Sequence, residues 1–328
     1  MISTFLPTPL KAALEARLEG LSRGDIAARA GAISRTYRDG GGSFFIRTAS
    51  DALAYALARM PATYAAVVAS LNALVALRPD FAPRSLLDIG AGPGTASFAA
   101  AEAFPSLESF ALIDRNAALR ALALELAGSS VSLRNLTYGL DEARSAIAHE
   151  GTADIVIASY VIGEAAMLER GELTELMWSK AGDTLLVVEP GTPAGYARII
   201  AARAKLIGLG AHVLCPCPHD FDCPLTPPDW CHFAQRLARS RAHKQIKGAE
   251  LPFEDEKFSY VALTRSPLAP QTARVLAPPI IGKVEVSARL CTVDGLALAR
   301  VPRRDKTAYA RARRWRWGDA VMVDPPSV

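Results

Sequence analysis

The chain is 328 residues long, half of them hydrophobic and 21% charged, with a net charge of +4. That length supports a sizeable buried core, and the composition excludes a globally disordered or fibrous protein. Five cysteines are too few for a disulfide scaffold in a chain of this size, so clustered thiols point instead to a metal site in a reducing compartment.

Residues 1–80 read as helices. Leu10, Leu14, Leu18 and Leu21 fall roughly on one face of a first amphipathic run, and 26–37 forms a second that ends at Gly40, Gly41 and Gly42. Ser50 and Asp51 are expected to cap a third helix, and Pro61 to open a fourth. The uncharged stretch 60–77 reaches the lower length of a membrane span. Pro61, Thr63, Tyr64, Ser70 and Asn72 weaken its hydrophobicity, so a buried helix is expected and no membrane partner. The first residues show no basic region followed by an apolar run, and the chain is read as cytoplasmic.

From residue 85 short apolar runs alternate with helical stretches, which predicts an α/β fold with a parallel sheet and crossover helices. Strands are expected at 86–89, 110–113, 131–133, 155–158, 185–188, 258–263 and 284–290. These make a seven-stranded Rossmann-like sheet, its last two strands antiparallel to each other. Between the fifth and sixth lies an insertion at about 211–248 that holds four of the five cysteines. Val293, Asp294 and Gly295 predict a hairpin turn. The expected organisation is a helical region at 1–80, a sheet domain at 81–270, and C-terminal strands with a basic tail at 271–328.

The first strand runs into a glycine-rich loop, with Asp88 two residues before Gly90, then Ala91, Gly92 and Gly94, just before a helix. Glycines there let the backbone turn sharply and approach a ligand without a Cβ in the way. The G-x-G-x-G spacing resembles the first motif of class I S-adenosylmethionine methyltransferases more than the dinucleotide fingerprint. Asp114, at the end of the second strand, is placed to accept hydrogen bonds from ribose hydroxyls. Tyr160 and Glu164 follow the fourth strand and are the candidate catalytic residues, as pocket wall and general base. The Asn/Asp-Pro-Pro-Tyr/Phe motif of amino-group methyltransferases is absent.

Cys215, Cys217, Cys223 and Cys231 crowd into seventeen residues among prolines, and Cys291 lies far downstream. Thiolates are soft ligands suited to zinc or to an iron–sulfur cluster, and the spacing leaves both open. Residues 300–317 hold eight Lys/Arg and one acid, a net of +7, so the rest of the chain is −3. Arg303, Arg304, Lys306, Arg311, Arg313, Arg314 and Arg316, interleaved with Trp315 and Trp317, form a candidate RNA surface of phosphate contacts and base stacking. His243, Lys244 and Lys247 are expected to extend it.

The glycine loop, the stretch from Ala58 to Tyr64 and the Cys-Pro-His element from Cys217 to Cys223 together resemble the methyltransferase-like assembly factors of the small ribosomal subunit. The resemblance runs from about residue 45 to about 320. It implies a class I S-adenosylmethionine-methyltransferase domain and binding to small-subunit rRNA. It also implies a [4Fe–4S] cluster on Cys217, Cys223, Cys231 and Cys291, with Cys215 outside the pattern. Zinc is the alternative metal, and the protein is expected to be a monomer off the ribosome. An active rRNA methyltransferase and an iron- or redox-sensing RNA-binding protein are the alternative functions.

Overall fold

The computed structural model describes the chain except residues 39–40, 129–132, 134, 249, 268–271 and 323–328. Three helices lead: α1 (Thr8–Ala16), α2 (Arg23–Arg38) and α3 (Ala49–Leu77). The expected third and fourth helices are one. Thr48 and Asp51 form a reciprocal capping box at the start of α3, and Pro61 sits inside it. Burial of most of the helix around it offsets the cost of a mid-helix proline. Val67, Val68, Leu71 and Leu74 are fully buried, and alanines let the sheet and neighbouring helices approach closely. By length and composition α3 is long and apolar enough to cross a membrane, but 56% of that segment is buried in the protein's own core.

The main sheet contains β1 (Ser85–Ile89), β2 (Ser109–Asp114), β3 (Leu136–Leu140), β4 (Ala153–Ser159), β5 (Ala181–Pro190), β6 (His212–Cys215), β7 (Phe233–Ala238) and β8 (Phe253–Thr264). Interleaved with these strands are α4 (Thr95–Ala103), α5 (Ala117–Gly128), α6 (Ala143–His149), α7 (Arg170–Lys180), α8 (Pro193–Ile207) and α9 (Arg241–Lys247). Strand order is β3-β2-β1-β4-β5-β8-β6, with β7 paired to the long β8. The first five strands are parallel, and β8 is inserted antiparallel between β5 and β6. This is the class I S-adenosylmethionine-methyltransferase order. The central strands β4 and β5 are buried on both faces, which their near-continuous apolar sequences require.

Two expected strands differ. For the third, expected at 131–133, residues 131 and 132 lie outside the described residues, and the strand is Leu136–Leu140. The seventh, at 284–290, does not join the main sheet. It forms β11 (Glu285–Thr292) of a second, five-stranded sheet with β9 (Ala273–Val275), β10 (Ile280–Ile281), β12 (Gly295–Pro302) and β13 (Ala320–Val321). Its neighbour in sequence is the hairpin partner β12, reached through the expected turn at Thr292–Gly295, and that local pairing wins over a distant one. The basic stretch is no loose tail either, because it holds the end of β12, then α10 (Lys306–Ala312), and leads into β13.

Candidate cofactor cleft and cysteine site

Gly90, Gly92 and Gly94 all adopt positive φ, at 66°, 53° and 80°. A Cβ at Gly90 would clash with Val161 Cγ2, so this turn excludes any larger residue twice over, by conformation and by space. Asp114 closes the loop: one carboxylate oxygen accepts from Gly92 N at 2.8 Å, the other from Asn116 N at 2.8 Å. Tyr138 donates its hydroxyl to Gly92 O at 2.6 Å. Gly90, Gly92 and Asp114 line a cleft of about 1200 Å³ at the carboxyl ends of the strands, where ligands bind in open α/β sheets.

Asp88, Ala91 and Gly94 are not among the residues that line it. Asp88 is fully buried beneath the loop and accepts from Ser97 N at 3.0 Å and Ser97 Oγ at 2.6 Å, while its other oxygen has no partner. Burial pushes its carboxyl up to about 7. Its place is to tie the loop to the first turn of α4. Gly94 is the N-cap residue of that helix.

Tyr160 and Glu164 both reach the cleft wall, each already committed to a partner. Tyr160 holds the left-handed conformation (φ 61°) and donates its hydroxyl to Glu256 at 2.9 Å; Arg59 lies 3.5 Å from the same carboxylate. Burial, then Glu256, hold the phenol well above its usual range. Glu164 accepts from Ser43 N at 3.3 Å and Ser43 Oγ at 3.1 Å, with Arg115 at 3.8 Å. Asn116 donates to the carbonyls of Ser43 and Ile46 at 2.8 and 2.9 Å, so the segment around Ser43 is strapped across the cleft from two strand ends. Asn116 and Ser43 carry no functional reading in the sequence alone, and Arg59 enters it only within the stretch from Ala58 to Tyr64; the signal within reach is Asn116, two residues after the ribose acid and capping α5 through Leu119 N.

His243 and Lys247 are turned inward, against expectation. Lys247 pairs with Glu254 at 2.8 Å, as does Arg239, and His243 is buried beside them. Burial lowers His243 to about 4, so it is neutral at pH 7. The hairpin β7–β8 supplies the carboxylate that draws these bases away from the surface.

The cysteine loop is pinned at several points. Asp220 accepts from Val213 N at 2.7 Å and meets His212 Nδ1 at 2.9 Å; Trp230 Nε1 donates to Gly191 O at 3.1 Å; Ser259 Oγ donates to Cys231 O at 2.8 Å. The second sheet then delivers Cys291 opposite Arg274 of β9. Cys217, Cys223, Cys231 and Cys291 line one cavity. Cys215 is fully buried at the end of β6, outside that lining, and burial raises its thiol to about 12. Burial likewise raises Cys291 to about 12 and Cys231 well above its usual range, with the neighbouring cysteines adding to it.

Among the described residues no group of three or more His, Cys, Asp or Glu side chains is drawn together tightly enough to hold a metal ion. The donor chemistry nonetheless fits an anionic, sulfur-ligated group that spans the cavity. Four thiols wall it, and the buried Arg203 Nε and His219 Nδ1 beside them have no hydrogen-bond partner.

Arg303, Arg304, Lys306, Arg311, Arg313, Arg314 and Arg316 are exposed. Trp315 and Trp317 are half-buried packing residues: Trp315 sits against Val286, Val301 and Ala312, and Trp317 edges onto His232 with ring centroids 4.8 Å apart. The apolar spacing that suggested base stacking is the inner face of α10 and its exit.

The family model described as mitochondrial small ribosomal subunit Rsm22 matches residues 49–322. The human mitochondrial ribosome assembly protein METTL17 is 30% identical over 301 residues, covering 84% of this chain and 63% of its own length. The Rsm22-cox11 tandem protein 2, mitochondrial, of Schizosaccharomyces pombe is 27% identical over 334 residues, covering 85% and 44%. The chain thus spans less than two thirds of either relative. Among solved structures, magnesium protoporphyrin IX methyltransferase from Synechocystis PCC 6803 superposes with a TM-score of 0.42 at 13% identity, covering 63% of this chain and 85% of that one. An S-adenosylmethionine-dependent methyltransferase from Agrobacterium tumefaciens gives 0.40 at 14%, covering 62% and 63%. The fold assignment stands on the strand order itself, and the match over 49–322 places the chain in the Rsm22 family.

Proposed function

We propose that the chain is a small-ribosomal-subunit assembly factor that binds rRNA and uses a methyltransferase fold as scaffold. In this reading the cleft holds S-adenosylmethionine against Gly90, Gly92 and Asp114. The four cysteines hold a [4Fe–4S] cluster, and the exposed arginines of 303–316 contact phosphates. The observation that carries it is the family match, which runs through both sites, together with the role of METTL17 as a ribosome assembly protein. The protein acts as a monomer before it reaches the particle, in a reducing, cytoplasmic compartment, with helical, methyltransferase-like and C-terminal regions meeting near residues 80 and 270.

Sedimentation of the purified protein with immature small subunits tests the proposal; absence from the particle fraction, together with no affinity for the rRNA, sinks it. Replacing Arg313, Arg314 and Arg316 by glutamine is expected to lower the salt dependence of rRNA binding by about two to three in log–log slope, at roughly 0.7–0.9 per phosphate contact. An unchanged slope removes these residues from the interface.

The second reading is methyl transfer to rRNA. The size of the cleft favours it, since about 1200 Å³ leaves room beside a cofactor for an acceptor. Against it stand Tyr160 and Glu164, whose polar ends are engaged by Glu256 and by Ser43. Labelled S-adenosylmethionine, immature rRNA and a Gly92→Arg control decide it by whether label is transferred above the control.

A further inference from the structure

One face of α8 is turned to the sulfur cavity. Tyr196, Ile199, Ile200 and Arg203 all line it, a helical i, i+3, i+4, i+7 stripe whose two ends are polar. Tyr196 donates its hydroxyl to Cys223 Sγ at 3.1 Å. Arg203, only 2% exposed, donates through Nη2 to His219 O at 2.7 Å while its Nε has no partner. Across the cavity Arg274, 3% exposed, donates to Pro216 O at 2.9 Å and Gly318 O at 2.8 Å.

Among the described residues neither arginine forms an ion pair with a carboxylate: their oxygen partners are neutral carbonyls, and Arg203 also reaches the Cys217 thiol. A buried guanidinium without a counter-charge is costly, because it loses its hydration without a compensating ion pair. The cysteines are groups beside them able to carry the opposite charge: both arginines act electrostatically on Cys217 and Cys291, and Arg274 on Cys231. Four thiolates around a [4Fe–4S] core carry a net charge of about −2. Two buried arginines match it.

We propose that Arg203, Arg274 and Tyr196 are positioning residues for the sulfur-ligated cluster, the arginines balancing its charge and the tyrosine donating a hydrogen bond to one ligand sulfur. This rests on the cluster reading above. Net charge and hydrogen bonds to sulfur set the reduction potential of such clusters, so these side chains hold it up. Reduction adds negative charge, and each cation or donor removed makes that step less favourable.

The experiment is anaerobic purification of the full chain and of Arg203→Met, Arg203→Lys and Tyr196→Phe, with iron and sulfide analysis and redox titration of the visible absorbance. Arg203→Met is expected to shift the midpoint to more negative potential, Arg203→Lys to restore most of it, and Tyr196→Phe to shift it the same way by less. Full iron and sulfide content with an unmoved midpoint in Arg203→Met and Tyr196→Phe overturns the proposal while leaving the cluster in place. If Arg203→Met fails to load, the midpoint of Tyr196→Phe, which keeps every charge, decides alone. A wild-type protein without iron and sulfide takes down the cluster reading and this one together.

Discussion

The cofactor cleft and the cysteine cavity belong to the same fold but are built in opposite ways. The cleft is made of backbone. Its loop is seven consecutive residues, 88–94, closed by one carboxylate at the end of the adjacent strand, and positive φ does most of the shaping. The cavity is made of side chains gathered from far apart: a proline-rich loop, one face of α8, and two strands of a second sheet. A site of the first kind survives as long as the sheet does. A site of the second kind exists only when two sheets are docked, and what fills it should in turn hold them together.

The largest expected effect follows from that difference. Cys291 is the one ligand candidate contributed by the second sheet. Cys291→Ser is expected to lose iron and to release the C-terminal sheet, because metal-binding free energy is folding free energy, of order 10 kcal/mol or more at structural zinc sites. Iron analysis with limited proteolysis around residues 276–284 checks it. Iron loss with undiminished protease resistance would break the claim that the cavity's occupant docks the sheet.

Gly90→Ala is the matching perturbation of the cleft. Left-handed backbone costs about 1–2 kcal/mol for a non-glycine residue, and the clash with Val161 adds overpacking of similar size. A loss of about 3 kcal/mol is expected by chemical denaturation, along with loss of S-adenosylhomocysteine binding by calorimetry. At Gly92 the nearest atom to a new Cβ is 3.8 Å away, so Gly92→Ala should lose only the conformational part, about 1–2 kcal/mol. Equal losses at the two glycines would show that space does not matter in this loop.

These two sites are also unequally legible in the sequence. The glycine loop can be read directly, because conformation and close approach restrict residue choice at each position. The four cavity cysteines can be picked out, yet their spacing alone leaves zinc and iron–sulfur open. Arg203, Arg274 and Tyr196 carry no signal, since an arginine in a helix or strand is read as surface until the fold buries it. The same blindness misplaces His243 and Lys247, whose partner Glu254 comes from a hairpin, and Trp315 and Trp317, whose basic neighbours conceal an apolar face. Strands β1, β2, β4, β5 and β8 are legible from short apolar runs alternating with helices, whereas β6 and β7, inside the cysteine-bearing segment, are not. The second sheet is not, because strand pairing between sheets leaves no periodic mark.

Asp88 sharpens the comparison through pH. Burial, ahead of the bonds from Ser97 that oppose it, raises its carboxyl from 3.8 to about 7. The folded protein then keeps a proton that the unfolded chain has already released. The associated stability is complete below pH 3.8 and is lost as pH rises through about 7. The wild-type protein is expected to be less stable at pH 8 than at pH 5 by about 3 kcal/mol from this group, at about 1.36 kcal/mol per pKa unit. Asp88→Asn should remove that slope while leaving the cysteine site untouched. A slope that persists in Asp88→Asn would assign the pH dependence elsewhere.

The smallest expected effect bears on chemistry. Tyr160→Phe removes one hydrogen bond to Glu256, and Arg59 remains beside that carboxylate at 3.5 Å. Because the acceptor keeps a charged partner, the loss should be about 1 kcal/mol by denaturation, the net worth of a typical hydrogen bond. A catalytic hydroxyl behaves differently: its removal lowers turnover by about 10²–10⁴-fold with little change in stability. Wherever methyl transfer is measurable, Tyr160→Phe therefore separates the two roles by which quantity moves. Its left-handed backbone and engaged phenol place Tyr160 with the backbone-built half of the molecule, as a strut of the cleft whose replacement costs stability and leaves the rate alone.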